Sequence, residues 1–164
     1  MIDETFEIDT DQLSLKFTRG QAGSFFVSGK TGNVEIIYPP QTDFRRLQPW
    51  LFKAVTEILR EQAKRILPAR LHELAEAHGF HYTRVRINSA RTRWGSCSSQ
   101  GHINLSLYLM IFPRKLSDYV LLHELCHTRE MNHGPRFSRV LDRVTGCRAK
   151  ALRQELRDYP SPFR

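Results

Sequence analysis

Five residues, His123-Glu124-Leu125-Cys126-His127, constrain this chain more than any others in it. Side chains four apart meet only on an α-helix, where they sit one turn apart on the same face. A helix is therefore expected through this segment. Two imidazoles so placed can hold one zinc ion, and a glutamate beside the first histidine can reach a water held there. Glu124 is the candidate general base: its carboxylate can take the water's proton while the metal makes that proton more acidic.

A third imidazole follows. His133 lies six residues after His127, giving HExxHxxxxxH. A straight helix would turn His133 away from the other two, so the helix is expected to run from about Ser117, as N-cap, to Met131. Asn132 tolerates the left-handed conformation that ends helices, and Gly134-Pro135 can open the next one. His133 can then return to the metal and leave a fourth position open for water and substrate. Glu130, one turn beyond His127, and Glu155, on a later helix, are competing carboxylate ligands. Cys126 points off the histidine face.

The rest of the chain supplies a scaffold of ordinary size. Its 164 residues, 40% hydrophobic and 26% charged, suit one globular domain. Short strands are expected at 5–9, 13–17, 25–27 and 34–38, the last two joined by a hairpin at Lys30-Thr31-Gly32-Asn33. A long amphipathic helix follows from Leu47 to Ile66. Pro68 disfavours helix at Leu67 and is expected to start a continuation that Gly79 stops. Alternation predicts strands at 83–87 and 103–107, with the loop Arg91-Thr92-Arg93-Trp94-Gly95-Ser96-Cys97-Ser98-Ser99 between them. Further helices are expected from Gly134-Pro135 to Gly146 and over 149–158. The pattern is α+β: a small mixed sheet packed on a long helix and an HExxH helix. Residues 1–40 form an N-terminal β-rich layer and 44–164 the catalytic core of one domain, 1–164.

No apolar run is long enough to span a bilayer, and the acidic start Ile2-Asp3-Glu4 reads as no signal peptide. Three cysteines, Cys97, Cys126 and Cys147, form no disulfide framework, which points to a reducing, cytoplasmic setting. The net charge of +8 is uneven. Residues 1–20 carry five acids and two bases, whereas 136–164 carry eight bases, Arg164 among them, and three acids. Such a basic C-terminal face can be a solvated helix surface or a weak contact for nucleic acid.

Several segments together are more specific than HExxH. Leu67-Pro68-Ala69-Arg70, the Arg91–Ser99 loop, Ile103-Asn104-Leu105, Asp118-Tyr119-Val120, the histidine motif and Asn132-His133 with Phe137 resemble the YgjP-like metallopeptidase-domain family. That family is related to the SprT-like metallopeptidases, and His133-Gly134-Pro135-Arg136-Phe137 repeats their context for a third histidine. The chain departs at Ser138, where tryptophan is usual, and at Ser106, where asparagine is frequent. The resemblance implies a zincin-like fold, one Zn²⁺ with His133 as third ligand, and a peptide or protein substrate. It also marks Arg93, Trp94, Gly95, Ser96 and Asn104 as a candidate substrate cleft, with Trp94 equally suited to the core. Arg93, Tyr108 and Tyr159 are candidate oxyanion donors. Two other readings stand beside the peptidase: a nucleic-acid-associated protease or binding module, and a structural zinc domain without catalysis.

Overall fold

The computed structural model describes residues 1–163. Four strands open the chain: β1 (Glu7–Asp9), β2 (Ser14–Arg19), β3 (Phe26–Lys30) and β4 (Asn33–Tyr38). They form a sheet in the order β1-β2-β4-β3, with β2 and β4 parallel and the outer pairs antiparallel. The expected hairpin joins β3 to β4 through Thr31-Gly32, and Gly32 takes the positive φ that such a turn requires. β1 starts two residues later than its alternation suggests, because Thr5 folds back on Asp3: its amide and hydroxyl both donate to the Asp3 carboxylate.

Helix α1 is one piece from Gln48 to His78, with Pro68 inside it. The expected break is absent. Leu59, Ala63, Leu67 and Leu71 are all fully buried and form an unbroken stripe across the proline. That stripe outweighs the roughly 3 kcal/mol cost of an interior proline. The carbonyl the proline leaves unbonded belongs to Lys64, an exposed residue that water can reach.

A second sheet follows, in the order β5-β7-β6. β5 (Arg84–Asn88) runs parallel to β7 (His102–Ser106), and β6 (Gly95–Cys97) antiparallel to it. β6 lies within what reads from sequence as loop, since Gly95-Ser96-Cys97 is too short to show alternation. A 3-10 turn at Leu107–Ile111 leads into α2 (Arg114–Cys126), then α3 (Pro135–Thr145) and α4 (Ala149–Asp158). One hydrophobic cluster joins Ile8 and Leu15 of the first sheet, Leu59 and Leu67 of α1, Leu105 of β7 and Leu121 and Leu125 of α2. Among the described residues no helix is long and apolar enough to cross a membrane. Arg164, one of the C-terminal bases, lies outside the described residues.

Helix α2 is held at three points. Its first turn is capped by Asp11, whose carboxylate accepts from the Arg114 amide at 2.8 Å. Ser117 is therefore not the N-cap. It is fully buried in the first turn, and its hydroxyl lies 3.1 Å from Gln12 Oε1. The Gln12 amide in turn donates to the carbonyls of Leu109 and Phe112, both at 2.9 Å. On the α1 side, Arg70 grips Asp118 with two parallel bonds of 2.9 and 2.8 Å. Two of the segments that carry the family resemblance thus meet in one bidentate pair.

Because that pair is two-pronged and Asp118 is only 17% exposed, it should stabilise the fold more than a surface ion pair does. Asp118→Ala is expected to cost about 1.5–3 kcal/mol in urea unfolding. The double variant with Arg70→Ala should cost clearly less than the sum of the two singles, the difference being the coupling between the partners.

Candidate active site

The C-terminal end of α2 builds the site. His123 and Glu124 lie in its last turn, and His127 is its C-cap, still in right-handed helical geometry at φ −66° and ψ −16°. The four-residue spacing therefore holds, with imidazole centroids 5.0 Å apart. The helix ends at Cys126, earlier than Met131, and tightens into one further turn in which the amides of His127, Thr128 and Arg129 each bond three residues back. The Thr128 hydroxyl donates to the Leu125 carbonyl, and the Glu130 amide bonds to the Cys126 carbonyl. The hydroxyl takes the carbonyl that the Arg129 amide would use in continuing helix, since that amide turns to Cys126 instead, and the Glu130 bond is the last of helical span. Arg129 anchors the turn from outside: it donates to the carbonyls of His78 and Gly79 at the end of α1 and lies 4.3 Å over the Phe80 ring.

This early stop brings His133 back. Its Nε2 lies 2.9 Å from His127 Nε2 and 3.3 Å from His123 Nε2. His127 Nδ1 sits 3.0 Å from the Glu130 carbonyl. A carbonyl only accepts, so Nδ1 carries the proton and Nε2 turns its lone pair towards the other two rings. Phe137, buried on α3, stacks on His127 at 4.5 Å and meets the edges of His123 and His133, each at 4.9 Å. One phenyl ring thus braces all three imidazoles.

Burial works against the charged form at two of the three imidazoles. His123 is pushed down to about 4, first by burial and then by its histidine neighbours and Arg153. His127 is lowered by burial, with the Glu130 carbonyl opposing. Three imidazole nitrogens converging on one point suit a cation. A tetrahedral zinc ion with bonds of about 2.0–2.1 Å sets its ligands about 3.3 Å apart. The three histidines could hold a metal ion, and among the described residues they are the one His/Cys/Asp/Glu group close enough to do so. Exposed His133 leaves one side of the cluster open.

Glu124 is 6% exposed, and burial pushes its carboxyl up to about 7, with the Arg93 charge opposing. Neither competing carboxylate joins the histidine cluster. Glu155 pairs with Lys115 at 2.7 Å, and Glu130 contributes its backbone carbonyl. Gly95 faces Glu124 so closely that a Cβ there would stand 2.9 Å from Glu124 Cγ. Ser96 and Asn104 pair across β6 and β7 and bond to each other at 3.3 Å. Side chains alternate along a strand, so this pair lies on the sheet face opposite Gly95 and Glu124. Trp94 is half-buried and meets Phe112 edge-on at 5.1 Å. Tyr108 and Tyr159 line an aromatic cavity with Trp94, Phe112 and Phe163, and the three histidines are not part of that lining. Of the three candidate oxyanion donors, Arg93 acts on Glu124 through its charge, whereas Tyr108 and Tyr159 line the aromatic cavity.

Burial and the Glu124 charge raise the Cys97 thiol to about 11, and burial raises Cys126 to about 12, so neither is poised as a nucleophile. The basic residues Arg136, Arg139, Arg143, Lys150, Arg153 and Arg157 are exposed on α3 and α4.

Comparison with known proteins places this site in context. A family model described as YgjP-like, metallopeptidase domain, matches residues 3–159. No curated protein sequence matches. Among solved structures, the crystal structure of the metallopeptidase zymogen of Pyrococcus abyssi abylysin is similar at 24% identity and a TM-score of 0.49, over 57% of this chain and 95% of that one. The family match takes in both sheets, the long helix and the histidine cluster, and the chain belongs to the YgjP-like family through its metallopeptidase domain.

Proposed function

We propose that this chain is a zinc-dependent metallopeptidase in which His123, His127 and His133 hold the ion and Glu124 is the general base. The observation that carries this reading is the convergence of three imidazole Nε2 atoms, at 2.9 and 3.3 Å, on the helix that also presents a buried carboxylate. Family membership in a metallopeptidase domain supports peptide hydrolysis as the reaction. An all-imidazole set with an open position suits zinc better than the oxygen-seeking Mg²⁺ or Ca²⁺. When bound, the ion supplies Lewis-acid polarisation and makes a water more acidic.

The chain's own residues do the rest. The Glu124 carboxylate accepts a proton from the attacking water and delivers it to the leaving amine. A carboxyl raised towards neutrality by burial is matched to both tasks. The Glu130 carbonyl holds His127 in the tautomer that binds metal, and Phe137 limits the motion of all three rings. β6 pairs with β7 along one side and is the last strand of its sheet. Its other edge can take an extended peptide by backbone bonding beside Glu124. Three free cysteines fit a reducing compartment such as the cytoplasm.

Two sets of variants test the assignment. His133→Ala, like His123→Ala and His127→Ala, should weaken zinc binding sharply in a competitive chelator titration, while Glu130→Gln and Glu155→Gln bind as the wild type does. The reverse order would give the third ligand to a carboxylate. Glu124→Gln should retain its metal by elemental analysis and lose about 10²–10⁴-fold in peptide turnover, since an amide cannot accept the proton. Unchanged turnover would remove Glu124 from the reaction.

A further inference from the structure

Gly95 stands in the middle of the best-defined loop motif, yet no turn requires a glycine there. The glycines with positive φ are Gly29, Gly32, Gly79, Gly101 and Gly146. Gly95 is paired in register with Leu105 at the start of β6. What the position lacks is space. A Cβ built on Gly95 would lie 2.9 Å from Glu124 Cγ, 3.1 Å from its Oε1 and 3.3 Å from its Cδ. All three near neighbours belong to one side chain.

Neither backbone is free to yield. β6 is zipped to β7 through Gly95–Leu105, Ser96–Asn104 and Cys97–Ile103, and the Ser106 amide donates to the Trp94 carbonyl at 2.9 Å. On the other side, Leu121 and Leu125 of α2 are fully buried and flank Glu124 one turn away and next door. Glu124 itself is 6% exposed, so its stem has little room to swing. An added methyl would therefore be met by the carboxylate-bearing side chain rather than by strand or helix.

We propose that Gly95 is a positioning residue for Glu124: the hydrogen it carries in place of a side chain lets β6 lie directly against the general base and fixes where that carboxylate sits. The proposal rests on Glu124 being the base, as argued above. It also gives the edge of β6 and the carboxylate a fixed separation, so that a peptide laid on that edge meets the base at a set distance.

The test is Gly95→Ala, with Gly23→Ala as control because a Cβ at Gly23 meets nothing within 4 Å. With zinc-loaded enzyme and a peptide substrate, Gly95→Ala should keep wild-type metal content and a KM within about twofold, and lose about a hundredfold in kcat. A kcat within about twofold of wild type, or loss of the metal, would overturn the proposal. A stability cycle reads the same contact without turnover. Gly95→Ala should lower the unfolding midpoint when Glu124 is present, and this loss should vanish in the Glu124→Ala background, where the opposing atoms are gone. An equal loss in both backgrounds would overturn it. If Gly95→Ala alone fails to fold, recovery of folding in the Gly95→Ala/Glu124→Ala double variant supports the contact, and failure of the double variant overturns it. Should the wild type cleave no peptide, the peptidase reading fails by itself, while the stability cycle still decides the contact.

Discussion

The site depends on a helix that stops on time. Were α2 to continue past His127, the next turns would carry Glu130 and Met131 along its axis and leave His133 on the far side. The stop is built from local bonds: the Thr128 hydroxyl on Leu125, the Arg129 amide on Cys126 three residues back, and the Glu130 carbonyl on His127 Nδ1. The last of these does two things at once. It closes the turn, and it sets the tautomer that leaves His127 Nε2 facing its two partners. Phe137 then seals the turn from α3 by packing against all three rings.

A turn of this kind is only as well placed as the helix that ends in it. α2 is fixed by contacts from distant parts of the chain. Asp11 caps its start, Gln12 meets Ser117, Arg70 holds Asp118, and Gly95 allows β6 to rest on Glu124. Asp11 and Gln12 come from the turn between β1 and β2, and Arg70 from α1. The turn between the first two strands thus steadies the helix that carries the site without reaching the histidines itself. Charged and buried polar contacts of this sort cost more to break than they gain in isolation, because each would leave a desolvated group without a partner. That asymmetry favours one seating of α2 over its alternatives.

Much of this was legible in the sequence where a short-range rule applies. The i, i+4 histidines demanded a helix, Gly134-Pro135 marked the start of α3, and Gly79 and Gly146 marked helix ends with the positive φ they adopt. Periodicity located α1 and the first sheet. What was not legible depends on contacts between distant residues. Pro68 broke a local rule that the buried Leu59–Leu71 stripe overrides. The cap of α2 comes from Asp11 and not from nearby Ser117. β6 is three residues long and exists because β7 pairs with it. Phe137 is marked in the sequence by its place after His133-Gly134-Pro135, but only the fold sets it against three imidazoles. The same holds for Gly95, whose meaning lies in the side chain opposite.

In the proposed site, three imidazoles and no protein carboxylate hold a single zinc ion beside Glu124. The most direct measurement is a crystal structure of the zinc-loaded protein with anomalous data collected at the zinc edge. One strong anomalous peak per chain is expected, bonded at about 2.0–2.1 Å to Nε2 of His123, His127 and His133, with the Glu124 carboxylate outside the coordination shell. A peak bonded to Glu130, Glu155 or Cys97, with His133 turned away, would contradict it.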